Sequence, residues 1–565
     1  MQVYEKQPYY VGGKARSVDA ENTGTDGRAD LPGEHGFRFF PGFYRHITDT
    51  MKRIPYGNNP NGVFDNLVMT ERVMLARYGK LPLVNIVNFP KSRADIKTLL
   101  AAMRESHIGL SKENEELFGD KIWQLLTSSY TRRQQLYERI GWWQYMETDQ
   151  QCAGQKPCAY EEYCVGGLTR SLVAAQPKLM STKTGGDILL QLMLLMVNPT
   201  GRTDRVLNGP TNAVWLFPWL QYLKKRGVQY HHGHTTQAIH CNPATRTITG
   251  VTVKNEATED VKQVQADYYI SAMPLERMAP LVTKDMLAAD ETLQFLDDLS
   301  KPHSKSLNWM NGIQYYLDRD VPLTKGHVIF IDSQWAVTAI SQVQFWQKFD
   351  LSKYGNGTVK GILSVDVSNW FSPGLNGKEA RECTLPEIIE EVWDQMERSL
   401  NVNGQTVLDR SMRIATHVDC DITEEVKKLG SAFCSEHNAE PLLVNTANSW
   451  SKRPDAVTNI KNFFLASDYV RTYTDLATME GANEAARRAV NGIIATSGAK
   501  VPYCTIWKLH EPGVLAVLRW LDARRYDKGL PWTNETPWLF KALHELNYFY
   551  HKLTGFRDGA TRKMN

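Results

Sequence analysis

The sequence predicts an α/β fold: a Rossmann-like unit assembled from separated stretches, joined to an α+β unit that contains an antiparallel sheet. Three observations carry this reading. Strand-and-glycine patterns recur at residues 1–20, 207–277 and 442–498, a mostly helical pattern fills 85–200, and strand-like runs crowd into 305–370. With 565 residues the chain exceeds what one core needs, so at least two domains are expected. The first combines 1–84, 205–280 and 440–500; the second combines 85–204 and 281–439; 501–565 forms a helical C-terminal extension.

In chain order, Val3-Tyr4-Glu5 reads as the end of a buried strand closing on an acidic residue, and Gly12-Gly13-Lys14 follows where backbone must approach another group closely. The run ILLQLMLLMV at 188–197 is about half the ~20 residues needed to cross a bilayer, so it is read as a buried helix. VWLFPWLQYLKKRG is an apolar helix ended by Gly227. The strands VQYHHG, TTQAIHCN, ITGVTVKN and VQADYYISAMP follow it as a meander punctuated by Asn242-Pro243. NGIQYYL, GHVIFID, AVTAISQ and GILSVDV are the strands of an antiparallel sheet. NFFLASDYV is a further strand, and the helix after it repeats Ala482, Ala485, Ala486, Ala489, Val490, Ile493 and Ile494 on one small apolar face. The tail carries a basic amphipathic helix with Val514, Val517, Leu518 and Leu521 on one side and Arg519, Arg524 and Arg525 elsewhere. It is expected to pack on the body or to rest on anionic lipid.

Composition excludes several classes. Lys and Arg total 65 against 62 Asp and Glu, a net charge of +3 that offers no footprint for nucleic acid. Eight cysteines do not make a dense framework in so long a chain, and a reducing cytosol is the expected compartment. Cys152, Cys158 and Cys164 at C-x5-C-x5-C match no zinc or iron–sulfur spacing, and His231-His232-Gly233-His234 needs no ligand role, so no metal is expected.

The chemistry-bearing residues lie in the Rossmann-like stretches. An acidic residue ending the second strand of a nucleotide-binding fold accepts the adenosine ribose hydroxyls, a role Glu5 fits. Asp468 stands at the carboxyl end of a strand, placed for a ribityl hydroxyl or a phosphate. The helix starting near Met479-Glu480-Gly481-Ala482 would offer its N–H groups to a cofactor edge where negative charge appears on reduction.

VYEKQPYYVGGKARS, the meander ending in ADYYISAMP, and FFLASDYVRTYTDLATMEGANEAARRAV resemble, in that order, the flavin-dependent amine oxidase and phytoene desaturase superfamily. LPGEHGFRFFPGFYRHITDTMKRIP is similar to the carotenoid-desaturase and hydroxysqualene-dehydroxylase side of it. The resemblance implies FAD and an FAD-binding domain. Glu5 would hold the ribose, Gly12, Gly13, Lys14 and Ser17 would lie along the diphosphate and flavin, and the backbone at Thr236 would meet the adenine. Asp468 would hold the ribityl chain, with Met479, Glu480, Gly481 and Ala482 beside the isoalloxazine.

This sequence departs from the family pattern twice. Ser467 stands where the family places glycine, and the family's G-x-G-x-x-G turn occurs nowhere in the chain. The expectation is therefore an N-terminally incomplete FAD-binding domain that binds its cofactor weakly. The implied activity is hydride transfer from a long apolar, polyprenoid or other lipid substrate to flavin N5, in a desaturase or a related isomerase or dehydroxylase, with the electron acceptor open. Glu34, His35 and Arg38 in GEHGFR are the polar candidates near the ring, or they brace their loop. A flavin amine oxidase, using Tyr469 and Tyr473 as an aromatic pair, and a non-catalytic lipid-binding remnant are the alternatives.

Overall fold

The computed structural model describes residues 1–34, 36–84, 109–154, 158–167, 176–195, 204–300, 306–308, 310–346, 348–418 and 440–535. His35 and the end of the tail lie outside the described residues.

The Rossmann-like stretches form parallel pairs. The strand Gln2–Tyr4 pairs with Gln229–His231, and Tyr269–Ser271 pairs with Phe463–Leu465. These are separate two-stranded sheets, and among the described residues no strand joins them. The helix Met479–Ser497 packs its Ala485 and Ala489 into the same core as Phe463, Phe464 and Leu465. A Cβ on Gly492 would stand 2.6 Å from Val457 and 2.8 Å from Phe464, so the bare glycine lets the helix close on the strand. That contact turns Val490 outward, to 39% exposure, although the sequence places it on the apolar face. The strands His234–Asn242, Thr247–Asn255 and Val261–Val264 form the expected antiparallel meander.

The second unit is a seven-stranded sheet in the order Arg413–Val418, Asn311–Leu317, Gly361–Val367, Val337–Ser341, Gly326–Phe330, Arg72–Arg77, Lys80–Val84. All four strand-like runs read at 311–367 are present in it. Residues 72–84, grouped with the nucleotide-binding stretches on sequence, add its last two strands, the first of them parallel to Gly326–Phe330. Both faces are covered, so Asn311–Leu317 and Gly361–Val367 are buried throughout. One face, with Ile313, Tyr315, Val328, Val337 and Val365, packs on Ile388, Val392, Trp393 and Met396 of the helix Leu385–Leu400. Register places Gln314, Ser364, Asp366, Thr338, His327 and His417 on the other face, beneath the loop of residues 31–40.

Residues 188–195 of the apolar 188–197 run belong to the helix Thr182–Leu195, where Ile188, Leu189, Leu190 and Leu192 are buried, residues 196 and 197 lie outside the described residues, and no described helix is long and apolar enough to cross a membrane. The tail helix Ala516–Tyr526 packs through Leu518 and Asp522, the latter bound by Arg132 Nε at 2.9 Å, while Val514, Val517 and Trp520 face outward. Contrary to the expectation of reduced thiols, Cys152 and Cys158 form a disulfide. Among the described residues no group of His, Cys, Asp and Glu could hold a metal ion.

Candidate functional site

The first strand and its partner bring Glu5 beside the histidine cluster. Glu5 N donates to His231 O at 2.9 Å, Glu5 O accepts from His234 N at 2.8 Å, and the carboxylate accepts from Gln7 N at 2.9 Å. Thr236 lies two residues into the next strand, opposite Val253, where the register slips before Ala238. His231 Nε2, His232 Nδ1 and Thr235 Oγ1 are buried without partners here, and burial lowers both imidazole pKa values, keeping the rings neutral. These are unused acceptors and donors of the kind an adenosine moiety would satisfy.

The two glycines of the next turn have different roles. Gly12, at φ 101°, lies against Leu216, whose Cδ1 would be 2.3 Å from a Cβ. Gly13, at φ 56°, borders open space. Lys14 Nζ pairs with Glu276 at 2.9 Å and also reaches Pro441 O. Ser17 exchanges two bonds with Asn212, from its N at 3.0 Å and to its Oγ at 2.9 Å. Glu276 is pushed up in pKa by burial, held down by Lys14 and raised further by Asp468. The 12–17 turn and the Asp468 loop therefore lie within electrostatic reach of one another.

Asp468 follows the strand Phe463–Leu465 and accepts from Ser467 Oγ at 3.2 Å, so the serine in the family's glycine position is itself a ligand of the aspartate. In the helix that follows, Thr478 caps Gly481 N at 3.2 Å, and a Cβ on Gly481 would stand 2.6 Å from Leu476 O. A helix start of this kind leaves its first N–H groups without intrahelical acceptors. Met479 packs with Phe40, Trp215 and Leu476, and Ala482 N donates to Thr478 O at 3.0 Å.

Glu480 does something the sequence did not suggest. Its carboxylate accepts from the N–H groups of Arg45, His46 and Ile47 at 2.7, 2.8 and 2.9 Å and meets His46 Nδ1 at 2.7 Å. It thereby ties the start of the helix His46–Met51 to the 479–497 helix. Glu34 and Arg38 are also engaged. Glu34 accepts from Thr211 N at 2.9 Å and Thr211 Oγ1 at 2.7 Å, with Arg38 Nε at 4.0 Å, and Arg38 Nη2 donates to the carbonyls of Lys14 and Arg16 at 3.4 and 3.3 Å. They knit the 34–38 loop to the 12–17 turn.

Two further groups of residues were missed on sequence. One is a buried network around Asp475, which accepts from Lys183 Nζ at 2.8 Å, Thr184 Oγ1 at 2.7 Å and Asn445 Nδ2 at 2.9 Å. The other is the polar sheet face under the 31–40 loop. Cβ atoms on Gly33 and Gly36 would stand 2.6 Å from the His417 ring and 2.5 Å from Asp366 Oδ1. His327 there is fully buried between Phe37 and Phe39, at 5.1 and 4.3 Å, with neither ring nitrogen partnered. A signal existed for the second group: His327 and Asp366 place ionisable groups inside the largely apolar runs GHVIFID and GILSVDV.

Tyr469 and Tyr473 do not form a pair. Tyr469 is buried in the core with Phe463 and Leu465, and Tyr473 meets Tyr130 edge-on at 6.3 Å beside a cavity of about 140 Å³ lined by Arg133, Asp187, Lys508, Glu511 and Arg519.

The geometry agrees with a family model and with solved structures. The family model for flavin-containing amine oxidoreductases matches residues 2–494. An oxidoreductase from Methanosarcina mazei superposes with a TM-score of 0.51 at 11% identity, covering 87% of this chain and 94% of that one. Putrescine oxidase bound to putrescine gives 0.52 at 10% identity, over 87% and 93%. A putative protoporphyrinogen oxidase from Exiguobacterium sp. 255-15 gives 0.50 at 14% identity, over 88% and 93%. Among curated proteins, none matches the sequence.

At these identities the solved structures establish the fold. The residues present fit the cofactor that the family carries, because unpartnered buried polar atoms line the Glu5 end and an acidic residue with a helix start stands at the Asp468 end. With the family model spanning residues 2–494 and the three sequence stretches converging as they do, the chain belongs to the flavin-containing amine oxidoreductase family and is an FAD-dependent oxidoreductase.

Proposed function

We propose that the protein oxidises a long apolar, lipid-like substrate of the polyprenoid type, for which flavin bound at this site would supply the hydride acceptor. The observation that carries this is the commitment of the polar candidates: Glu34 is taken by Thr211, and Arg38 by two backbone carbonyls. No free acid or base is thereby offered by those residues, and around them stand Phe37, Phe39, Phe40 and Phe43. Bound flavin supplies the hydride acceptor, so the protein's part is to position an apolar chain and exclude water. Burial lowers the His327 pKa to about 3, which keeps that ring uncharged near neutrality.

Amine oxidation is the second reading, favoured by the likeness to putrescine oxidase. One observation weighs against it: Tyr469 is enclosed in the core and Tyr473 meets Tyr130, so the two do not form an aromatic pair. Anaerobic bleaching of the flavin by squalene- or phytoene-like substrates, with none by putrescine, is the expected result. Bleaching by putrescine alone would overturn the proposal. Contact with a lipid surface belongs to the same reading: Val514, Val517 and Trp520 face outward beside Arg524, whose guanidinium lies 5.0 Å from the Trp520 ring. Co-sedimentation with anionic vesicles but not zwitterionic ones is expected.

A further inference from the structure

The loop that leads from Asp468 to the helix start at Met479 is held from two sides by buried charge. On one side Glu484, fully buried on the 479–497 helix, accepts from Tyr473 N at 2.8 Å, Thr474 N at 3.1 Å and Thr474 Oγ1 at 3.0 Å. On the other, Asp475 accepts from Lys183 Nζ at 2.8 Å and Thr184 Oγ1 at 2.7 Å, both on the helix Thr182–Leu195. Asn445 Nδ2 at 2.9 Å and Arg453 Nη1 at 3.3 Å complete its company. Asp475 and Lys183 are each 1% exposed, and Lys183 Nζ also stands 3.6 Å from Asp187 and 4.8 Å from the centre of the Trp450 ring. The same helix packs Ile188 and Leu192 into one cluster with Leu476 and Met479, so apolar contact continues where the ion pair ends.

Asp475 takes φ 44°, a left-handed backbone that a residue with a Cβ keeps only where its surroundings compel it. A buried ion pair is a poor source of stability, since well-packed apolar side chains of the same volume do as well or better. Its geometry is what apolar packing cannot supply: a carboxylate bonded by donors from three separate segments is fixed in place and direction. We propose that Lys183 and Asp475 are positioning residues for the flavin. Their ion pair sets where the 468–479 loop, and with it Asp468 and the first turn of the 479–497 helix, stands relative to the helix Thr182–Leu195. The assignment rests on FAD being the cofactor, and it acts through the loop rather than by contact with the flavin.

The test is FAD binding by the full chain, for the wild type, D475N, K183M and T184V. It is read as the dissociation constant from fluorescence quenching, and as the visible spectrum and midpoint potential of the bound flavin at saturation. D475N and K183M each leave a buried charge short of its partner, and both are expected to bind FAD about tenfold more weakly. At saturating FAD their flavin band and potential should both be shifted, readouts that a loss of stability alone leaves unchanged. T184V removes one bond and keeps the shape, so it should weaken FAD binding about threefold. Variants that unfold at lower denaturant yet bind FAD with wild-type affinity, spectrum and potential overturn the positioning role and leave the FAD reading intact. Should D475N and K183M fail to fold, T184V decides: affinity, spectrum and potential equal to the wild type's overturn the proposal. A wild type that takes up no FAD defeats the FAD reading and the proposal together.

Discussion

At His327 burial and chemistry oppose each other, and the conflict has a measurable sign. Its pKa is lowered to about 3 by burial, against an ordinary 6.5. Above pH 6.5 the ring is neutral folded or unfolded and contributes nothing. Below it the unfolded chain takes up a proton that the folded protein refuses until about pH 3, so stability falls by about 1.4 kcal/mol per pH unit across that window. His327→Phe should remove this slope. Between pH 7.5 and pH 4.5 the variant should lose about 3 kcal/mol less in urea unfolding than the wild type, and an identical loss would refute the account. Glu480 makes the opposite case, a buried carboxylate on which four hydrogen bonds converge. Glu480→Ala should cost about 3 kcal/mol in the flavin-free protein. A variant as stable as the wild type but weaker for FAD would return Glu480 to the cofactor role read from sequence. The Glu480 partnership was not legible locally, because Arg45–Ile47 and Glu480 lie more than four hundred positions apart in the chain and no spacing rule joins them.

Elements were the more legible level, since a strand or helix writes its period into its own residues. Asn311–Leu317 and Gly361–Val367 coincide with the runs NGIQYYL and GILSVDV, and the helix beginning at Met479 starts where its motif places it. What the period did not reveal is which face meets which neighbour, as Val490 shows by pointing outward. Loops depend still more on their surroundings. Gly36, at φ 109° and pressed against Asp366, and Gly13, at φ 56° beside open space, look alike in sequence. Gly13→Ala should cost about 1 kcal/mol for its left-handed backbone, and Gly36→Ala about 2–3 kcal/mol because strain and clash add. Denaturant midpoints showing the two equal would contradict the packing of the 31–40 loop on the sheet.

For the molecule as a whole, the Cys152–Cys158 link closes a loop of few residues, so replacing both with Ser should lower unfolding free energy by about 2 kcal/mol, with reductant doing the same to the wild type. No response to reductant would mean the pair is open in solution. What the sequence alone determined is the family, the cofactor and the elements that carry them, because a strand ending in Glu5, a strand ending before Asp468 and a helix opening at Met479 are local patterns whose chemistry is written in adjacent residues. Tertiary structure alone decided that Glu34, Arg38 and Glu480 are bonded within the protein and that residues 72–84 complete the seven-stranded sheet. Those facts depend on which distant groups share a space with little water, where one unpaired hydrogen-bonding group outweighs any local preference, and no one-dimensional pattern encodes such company.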